Sequence, residues 1–589
     1  MRAGFSLVCL CLLALTAAGL AVGAQEQDAP PEPRAAADVA ADPHAAILAE
    51  TLFPSASECA ACHPAQYEEW RFSSHAYASI SPMFHKFEQR INDLSQGTVG
   101  YFCMRCHATV STSLGESRAM PLWERSQVSR EGVTCVTCHR VDEYYGKVNG
   151  ERRILRGDIR EPVYGSIGGA GVAEVIENRE AYNVAATEGE MGLDIHRQGI
   201  RFEQLGQSEF CLSCHQVAVH PGIKLETVWD EYRASPALAE GITCQDCHMS
   251  TRPGQPSGYA TGPAAIVNGR TVNDARKRTN HAFVGPGYPI THPGIFPHHP
   301  AARRFSARDW LAFDYRAGWG TPDFEDRVAE GAVEIDFPEP WAYEDDRVEA
   351  RLIVDENLRK IEEKAALRHD LMESSSRIDG PYFRRQPRTG RDLAFHYRVT
   401  NLNKGHNMPS GSLGAQPEIW LNVALIDPAG ETVWESGYVD SHGDMADLHS
   451  LDVQAGTLPH DGQLFNLQSK FLTTNLKGTD REMYLPVPFD ADQIPFIRPA
   501  NVPTSILNHP PFIRMEKRSI PPLGSKDAKY SVPGRLLETP GLYRLAVRMR
   551  SRAEPLYFMK FVGATKDMER AMNEWMVDIH PYTVEFAVE

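Results

Sequence analysis

Cys-Ala-Ala-Cys-His at residues 59–63, Cys-Met-Arg-Cys-His at 103–107, Cys-Val-Thr-Cys-His at 135–139, Cys-Leu-Ser-Cys-His at 211–215 and Cys-Gln-Asp-Cys-His at 244–248 are one motif written five times. Two thiols two residues apart can add to the two vinyl groups on one porphyrin edge. The histidine that follows then lies under the iron and supplies an axial nitrogen, so Cys-x-x-Cys-His is the attachment signature of a c-type haem. Zinc sites and disulfides also use paired cysteines, but neither requires His at the fifth position every time. The recurrence therefore selects five covalently bound haem c groups. Their thioether bonds come from Cys59, Cys62, Cys103, Cys106, Cys135, Cys138, Cys211, Cys214, Cys244 and Cys247, and the proximal iron ligands are His63, His107, His139, His215 and His248.

Cysteine usage agrees with this reading. Of the 12 cysteines, Cys9 and Cys11 lie in the N-terminal apolar run and the other ten are the motif pairs, which leaves no thiol for a structural disulfide. Residues 1–24 read as a secretory signal. Arg2 begins it, an apolar run from Phe5 to Val22 follows, and small residues around Ala21 to Ala24 suit cleavage near Gln25. There is no twin-arginine pair and no lipid-attachment cysteine at the cleavage site. No later stretch approaches a membrane span, so the mature chain is expected to be exported, periplasmic or at the cell surface, without a transmembrane segment.

The formal charge of −17 argues against nucleic acid and anionic lipid, and favours redox partner proteins that present a basic docking face. Residues 25–50, rich in Ala, Pro, Asp and Glu, read as a flexible leader. A pentahaem domain at 51–300 follows, mainly helix and loop, because five porphyrins in so short a span must supply much of the core themselves. A connector spans 301–388. It is marked by Trp310, Phe313, Tyr315, Trp319 and Trp341 and by a helical stripe from Asp345 to Ser374 (Val354, Leu358, Ile361, Ala365, Met372). From 389 to 589 the period becomes two: Leu393, Phe395, Tyr397 and Val399, then Ile419 to Leu425, Tyr543 to Met549 and Val584 to Val588. That predicts an antiparallel β-sandwich and an α+β multidomain chain.

A haem iron closed by a second imidazole moves electrons, whereas one with an open sixth position can bind a small molecule. Candidate distal ligands, in falling order, are His75, His196, His281, His406, His298, His292 and His220. His75 follows a Pro64-initiated helix whose Tyr67 and Trp70 can pack on porphyrin. His196 precedes the fourth motif and His281 follows the fifth. The Pro-stiffened segment from His292 to His299 offers one ligand among its three histidines. His406 lies in a Gly-His-Asn-Met-Pro-Ser-Gly loop of the sandwich, with Met408 as an alternative ligand.

These residues carry a family resemblance. The opening Cys-x-x-Cys-His-x-x-x-Tyr-x-x-Trp, with Ser-x-His-Ala after it, resembles the multihaem cytochrome c superfamily. That group includes the tetrahaem cytochrome of ammonia oxidation, pentahaem nitrite reductase and hydroxylamine oxidoreductase. Gly-Val-Thr-Cys-Val-Thr-Cys-His, Ser-Glu-Phe-Cys-Leu-Ser-Cys-His and Gly-Ile-Thr-Cys-Gln-Asp-Cys-His-Met resemble the same group. The Gly-His-x-x-Pro-Ser-Gly loop, with Pro-Glu-Ile-Trp-Leu-Asn-Val downstream, is similar to the β-domain of exported members. The resemblance implies closely stacked haem pairs, mostly bis-His ligated. No motif here ends in Lys, as the catalytic site of the nitrite reductase does, and five sites are fewer than the eight of hydroxylamine oxidoreductase. The expected function is therefore electron relay between redox partners, more a carrier than an enzyme. The alternative is a reductase or oxidase of a small nitrogen or sulfur compound at one open haem. An oligomer or a surface assembly is compatible with either.

Overall fold

In the haem region each motif nucleates only a turn or two of helix, and the reason is local. Thr243 caps the helix Cys244–His248: its side chain accepts from the Asp246 amide, and the Asp246 carboxylate accepts from the Thr243 amide. Ser55 and Glu58 make the same reciprocal cap on Ala56–Ala60. Each box satisfies amides that a short helix leaves without partners. Cys135–His139 and Met104–His107 are equally short, and small two-stranded ladders such as Ala260–Gly262 with Arg276–Arg278 fill the spaces between. The computed structural model describes residues 52–589 except 95–96, 98, 145–148, 151, 220–222, 274, 288–290, 296–298, 411–416, 469, 474–482, 485–512 and 517.

The chain then runs into one long helix, Glu344–Ser374. Glu344, Asp345 and Asp346 occupy its first turn, where the helix dipole favours anions. Val354, Ile361 and Met372 are buried, as the apolar stripe predicts, but Arg347, Asn357, Lys364 and Arg368 share the buried face. Apolar periodicity does not register these four, and each has a specific partner. Arg347 pairs with the buried Glu325 and donates to the Trp341 carbonyl at 2.7 Å. Lys364 reaches the Phe72 carbonyl at 3.2 Å and the Ser74 hydroxyl at 3.0 Å. Arg368 donates to the carbonyls of Pro286 (2.7 Å), Trp575 (2.8 Å) and Ser551 (3.5 Å). The helix thus ties loops of the haem region to the C-terminal region through buried charge-assisted bonds. Against its N-terminal half, Trp310, Phe313, Trp319, Phe324 and Trp341 pack as one aromatic cluster.

Two antiparallel sheets make the core of the C-terminal region, and a small third one joins Lys470–Thr473 to Met483–Tyr484 and Ile513–Glu516. Sheet one is β1 (Ser376–Phe383), β2 (Leu393–Asn401) and β5 (Ser525–Val532), in the order β1-β2-β5. Sheet two is β3 (Glu418–Ile426), β4 (Thr432–Ser436), β6 (Gly541–Arg552) and β7 (Val577–Val588), in the order β4-β3-β6-β7. The two-residue period decides what lies inside. Phe395, Tyr397 and Val399 of β2 meet Leu421, Val423, Leu545, Val547 and Met549 of the other sheet in a single core. Met372, at the end of the long helix, joins that core. A second apolar cluster joins Phe72, Tyr77, Met83 and Ile91 to Leu556, Phe558, Met559 and Met572, from the helices between β6 and β7. The chain is therefore α+β, with a β-rich C-terminal part held against the haem region. No helix among the described residues is long and apolar enough to cross a membrane.

Replacing Arg368 by Met would leave the carbonyls of Pro286, Trp575 and Ser551 without this donor, the last of them buried. We expect a loss of about 3 kcal/mol in unfolding free energy, measured by denaturant titration of the haem-loaded protein, with haem content unchanged. Stability within about 0.5 kcal/mol of wild type, the range of ordinary surface changes, would show that the tie is dispensable.

Candidate functional site

The five motifs line one continuous cavity of about 1180 Å³, above the roughly 300–1,000 Å³ of ordinary small-molecule pockets. All ten motif cysteines sit at partial exposure, and none is in a disulfide. Tyr67 and Trp70, with ring centres 5.9 Å apart, lie on its wall. The walls between motifs are held by buried acids and bases. Glu131 accepts from the Ser55 hydroxyl at 2.5 Å, the Ala56 amide at 2.8 Å and the Thr134 hydroxyl at 2.9 Å, which clamps the first motif's helix against the third. Arg152 joins the third motif to the fourth. It donates to the Thr137 carbonyl at 3.3 Å, and to the Phe210 carbonyl and Ser213 hydroxyl at 2.6 Å each.

Three pairs of imidazoles face one another across this space. Ring centres are 6.4 Å apart for His63 and His196, 6.4 Å for His75 and His215, and 6.2 Å for His248 and His406. A metal–imidazole bond is about 2 Å long and the ring centre lies roughly 1.1 Å behind the nitrogen, so two rings sharing one metal have centres about 6.2 Å apart. Rings in direct stacking contact sit closer, as Phe84 and His107 do at 4.4 Å. The planes of the first and third pairs are near parallel, at 7° and 14°, whereas those of His75 and His215 are inclined by 49°.

Protonation fits the same role. The Nδ1–H groups of His63, His139, His248, His281 and His406 donate to the carbonyls of Ala264 (2.9 Å), Tyr164 (2.7 Å), Val284 (3.2 Å), Thr279 (3.0 Å) and Asn407 (3.0 Å). A carbonyl can only accept, so the lone pair of each ring is left on Nε2, the nitrogen free for iron. Burial pushes the pKa of His75 down to about 3 and those of His107, His196, His248 and His281 to about 4. At neutral pH these rings are neutral, the form that ligates metal.

Each distal candidate has a distinct support. The His75 carbonyl accepts from the Val133 amide at 2.9 Å, beside Gly132. Gly132 has φ +63°, and a Cβ there would meet the His75 carbonyl, so only glycine lets the two segments touch. His281 is steered by Glu69, which accepts from its amide at 2.9 Å and from Arg278 at 2.5 Å. It is an electrostatic neighbour of His139. The His406 loop is gripped by Glu231, whose carboxylate accepts from the Asn407 amide at 3.1 Å and the Ser410 hydroxyl at 2.7 Å. Lys404 adds an ion pair to Glu240 at 2.7 Å. Met408 packs in the sandwich core. His292 lies apart: its Nε2 bonds the Phe313 carbonyl at 2.7 Å and its Nδ1 accepts from the Gly294 amide at 3.0 Å. Both of its nitrogens are thus engaged by the main chain. His220 and His298 fall outside the described residues. Among the described residues no imidazole stands at ligand-sharing distance from His107, which the Phe84 ring covers at 12°. That aromatic cover carries no motif and was not among the expected site residues.

Sulfur contacts show how the motifs neighbour one another. The sulfurs of Cys59 and Cys135, of Cys106 and Cys214, and of Cys211 and Cys244 are close neighbours. Cys138 is in turn an electrostatic neighbour of Cys214. The first and third motifs therefore abut, as do the second and fourth and the fourth and fifth, with the third beside the fourth. Removing the Glu231 carboxylate (Glu231→Ala) is expected to cost about 2 kcal/mol and to expose the 405–410 loop to new proteolytic cleavage. A variant that melts and is cut like wild type would show that the loop is held by other contacts.

The family model for cytochrome c554 and c-prime matches residues 58–140, which hold the first three motifs. Among solved structures, the penta-heme cytochrome c552 from Thermochromatium tepidum aligns with 90% of this chain and 98% of its own, at 16% identity and a TM-score of 0.46. No curated protein matches the chain. The family match, together with the Cys-x-x-Cys-His motifs and a cavity lined by neutral imidazoles, supports a multihaem c-type cytochrome with covalently bound haem c.

Proposed function

We propose that this protein is an exported pentahaem electron carrier whose five haems form one relay. The observation that carries the reading is the spacing of the imidazole pairs, 6.2–6.4 Å, repeated in three places along one cavity. Bound haem c supplies one-electron Fe(III)/Fe(II) exchange, and the protein supplies spacing, burial and axial ligands. In this reading His196 closes the iron of the first motif, His75 that of the fourth and His406 that of the fifth. His281 serves the third, beside its neighbour His139. The neighbouring sulfurs support an order of first, third, fourth and fifth in line, with the second branching at the fourth. Burial of the ligand rings in neutral form keeps protons away from the irons, which suits transfer of electrons alone. The partners are redox proteins, and the charge of −17 favours basic docking faces. Export places the chain in the periplasm or at the cell surface.

One observation favours a second reading at a single site. Among the described residues no imidazole is at the 6.2–6.4 Å spacing from His107, whose ring is stacked by Phe84, so the second haem is a candidate place for a small nitrogen or sulfur compound to bind iron, although His85 is its electrostatic neighbour as His281 is of His139.

His406→Ala separates ligand from scaffold. The variant should keep five thioether-bound haems and a folded sandwich, while one further haem becomes high-spin and binds carbon monoxide. An unchanged spectrum in a well-folded variant would exclude His406 as a ligand. In the wild type, carbon monoxide should bind at most one haem per chain. Binding at several would contradict the relay, and turnover of a nitrogen or sulfur substrate, abolished by blocking that one haem, would favour the enzyme.

A further inference from the structure

The strand Arg276–Arg278 lines the cavity beside the first and third motifs with three consecutive cations, and two of them are matched. Arg278 pairs with Glu69 at 2.5 Å. Lys277 lies over the Tyr259 ring with its nitrogen 3.5 Å from the ring centre. Arg276 is half-buried, and among the described residues neither a carboxylate nor a carbonyl lies within hydrogen-bond reach of its guanidinium. The other buried cation near this pair, Arg140, gives its two terminal nitrogens to the carbonyls of Gly157 (3.4 Å) and Asp158 (2.5 Å). Arg276 is also an electrostatic neighbour of both proximal ligands, His63 and His139.

A desolvated guanidinium without an anion is costly, and folded proteins do not retain one without a use. Burial lowers the pKa of Arg276, with no acid nearby to restore it. The planar fork of arginine is matched by a carboxylate, which it can hold through two parallel bonds. Each haem c brings two carboxylates of its own. We propose that Arg276 binds a propionate carboxylate of the haem at Cys59 and Cys62 or of the haem at Cys135 and Cys138, and so raises the reduction potential of that stacked pair. This rests on haem attachment at both motifs. Arg276 is here a positioning and tuning residue. A fixed cation disfavours Fe(III) more than Fe(II), and its loss also leaves the carboxylate charge uncompensated, so both effects lower the potential.

The test is a spectroelectrochemical titration of the haem-loaded protein in low and high inorganic phosphate, for wild type, Arg276→Gln and Arg276→Lys, with haem content taken from intact mass. Five haems in all three proteins preserve the underlying reading, whereas missing haem at either motif would fail that reading and not this proposal. With haem complete, Arg276→Gln should shift part of the titration to lower potential and Arg276→Lys should restore most of the shift. Wild-type potentials should be indifferent to phosphate. Unchanged potentials in Arg276→Gln would overturn the proposal. So would a wild-type potential that moves with phosphate and loses that response in Arg276→Gln, because the ligand would then be a free anion. Should Arg276→Gln fail to fold, Arg276→Lys and the phosphate series still decide: a potential slightly below wild type and insensitive to phosphate supports the proposal, and a potential equal to wild type or a phosphate response overturns it.

Discussion

An iron with two imidazole ligands needs their nitrogens on one line, about 4 Å apart, on opposite faces of a flat ring. In the proposed relay that demand is met several times in one cavity. A proximal histidine is placed by its own motif, since helical geometry sets it beside the two cysteines. In the proposed relay the facing histidine comes from elsewhere in the chain, and its position has to be built. Hence Gly132 lets the His75 segment lie against the third motif, Glu69 steers His281, and Glu231 grips the loop of His406. The same demand accounts for a β-sandwich fused to a haem domain. With the His406 ring 6.2 Å from that of His248, a shared iron would fasten the two regions by a metal bond in addition to their packing.

The price of such a cavity is a shortage of apolar side chains, and the structure offsets it with buried cations aimed at main-chain carbonyls. Arg368, Lys364, Arg152 and Arg140 all act in this way. A guanidinium can serve several carbonyls at once, so one side chain satisfies loops that contribute no regular hydrogen bonding of their own. Arg276 departs from this pattern, and its departure is what points to a partner outside the polypeptide.

What could be read from the sequence was what is local. Cys-x-x-Cys-His is contiguous, and the two-residue alternation of Leu393 to Val399 or Tyr543 to Met549 is a property of the strand alone. The long helix was legible from Val354, Ile361 and Met372, yet its buried Arg347, Asn357, Lys364 and Arg368 were not, because helical periodicity counts only apolar residues. Phe84 stacked on His107 and the unmatched Arg276 depend on which loops meet, and no spacing encodes that. Proline around His292 suggested a well-held ligand, whereas the ring is held by main-chain groups at both nitrogens. Stiffness was legible there, but direction was not.

The most direct measurement is anomalous diffraction at the iron absorption edge from a crystal of the haem-loaded protein. The account predicts five iron peaks per chain. Three should lie midway between the rings of His63 and His196, His75 and His215, and His248 and His406, and the peak nearest His107 should have no second imidazole from the described residues. Fewer than five irons, or an iron displaced from the midpoint of any of those three pairs, would contradict it.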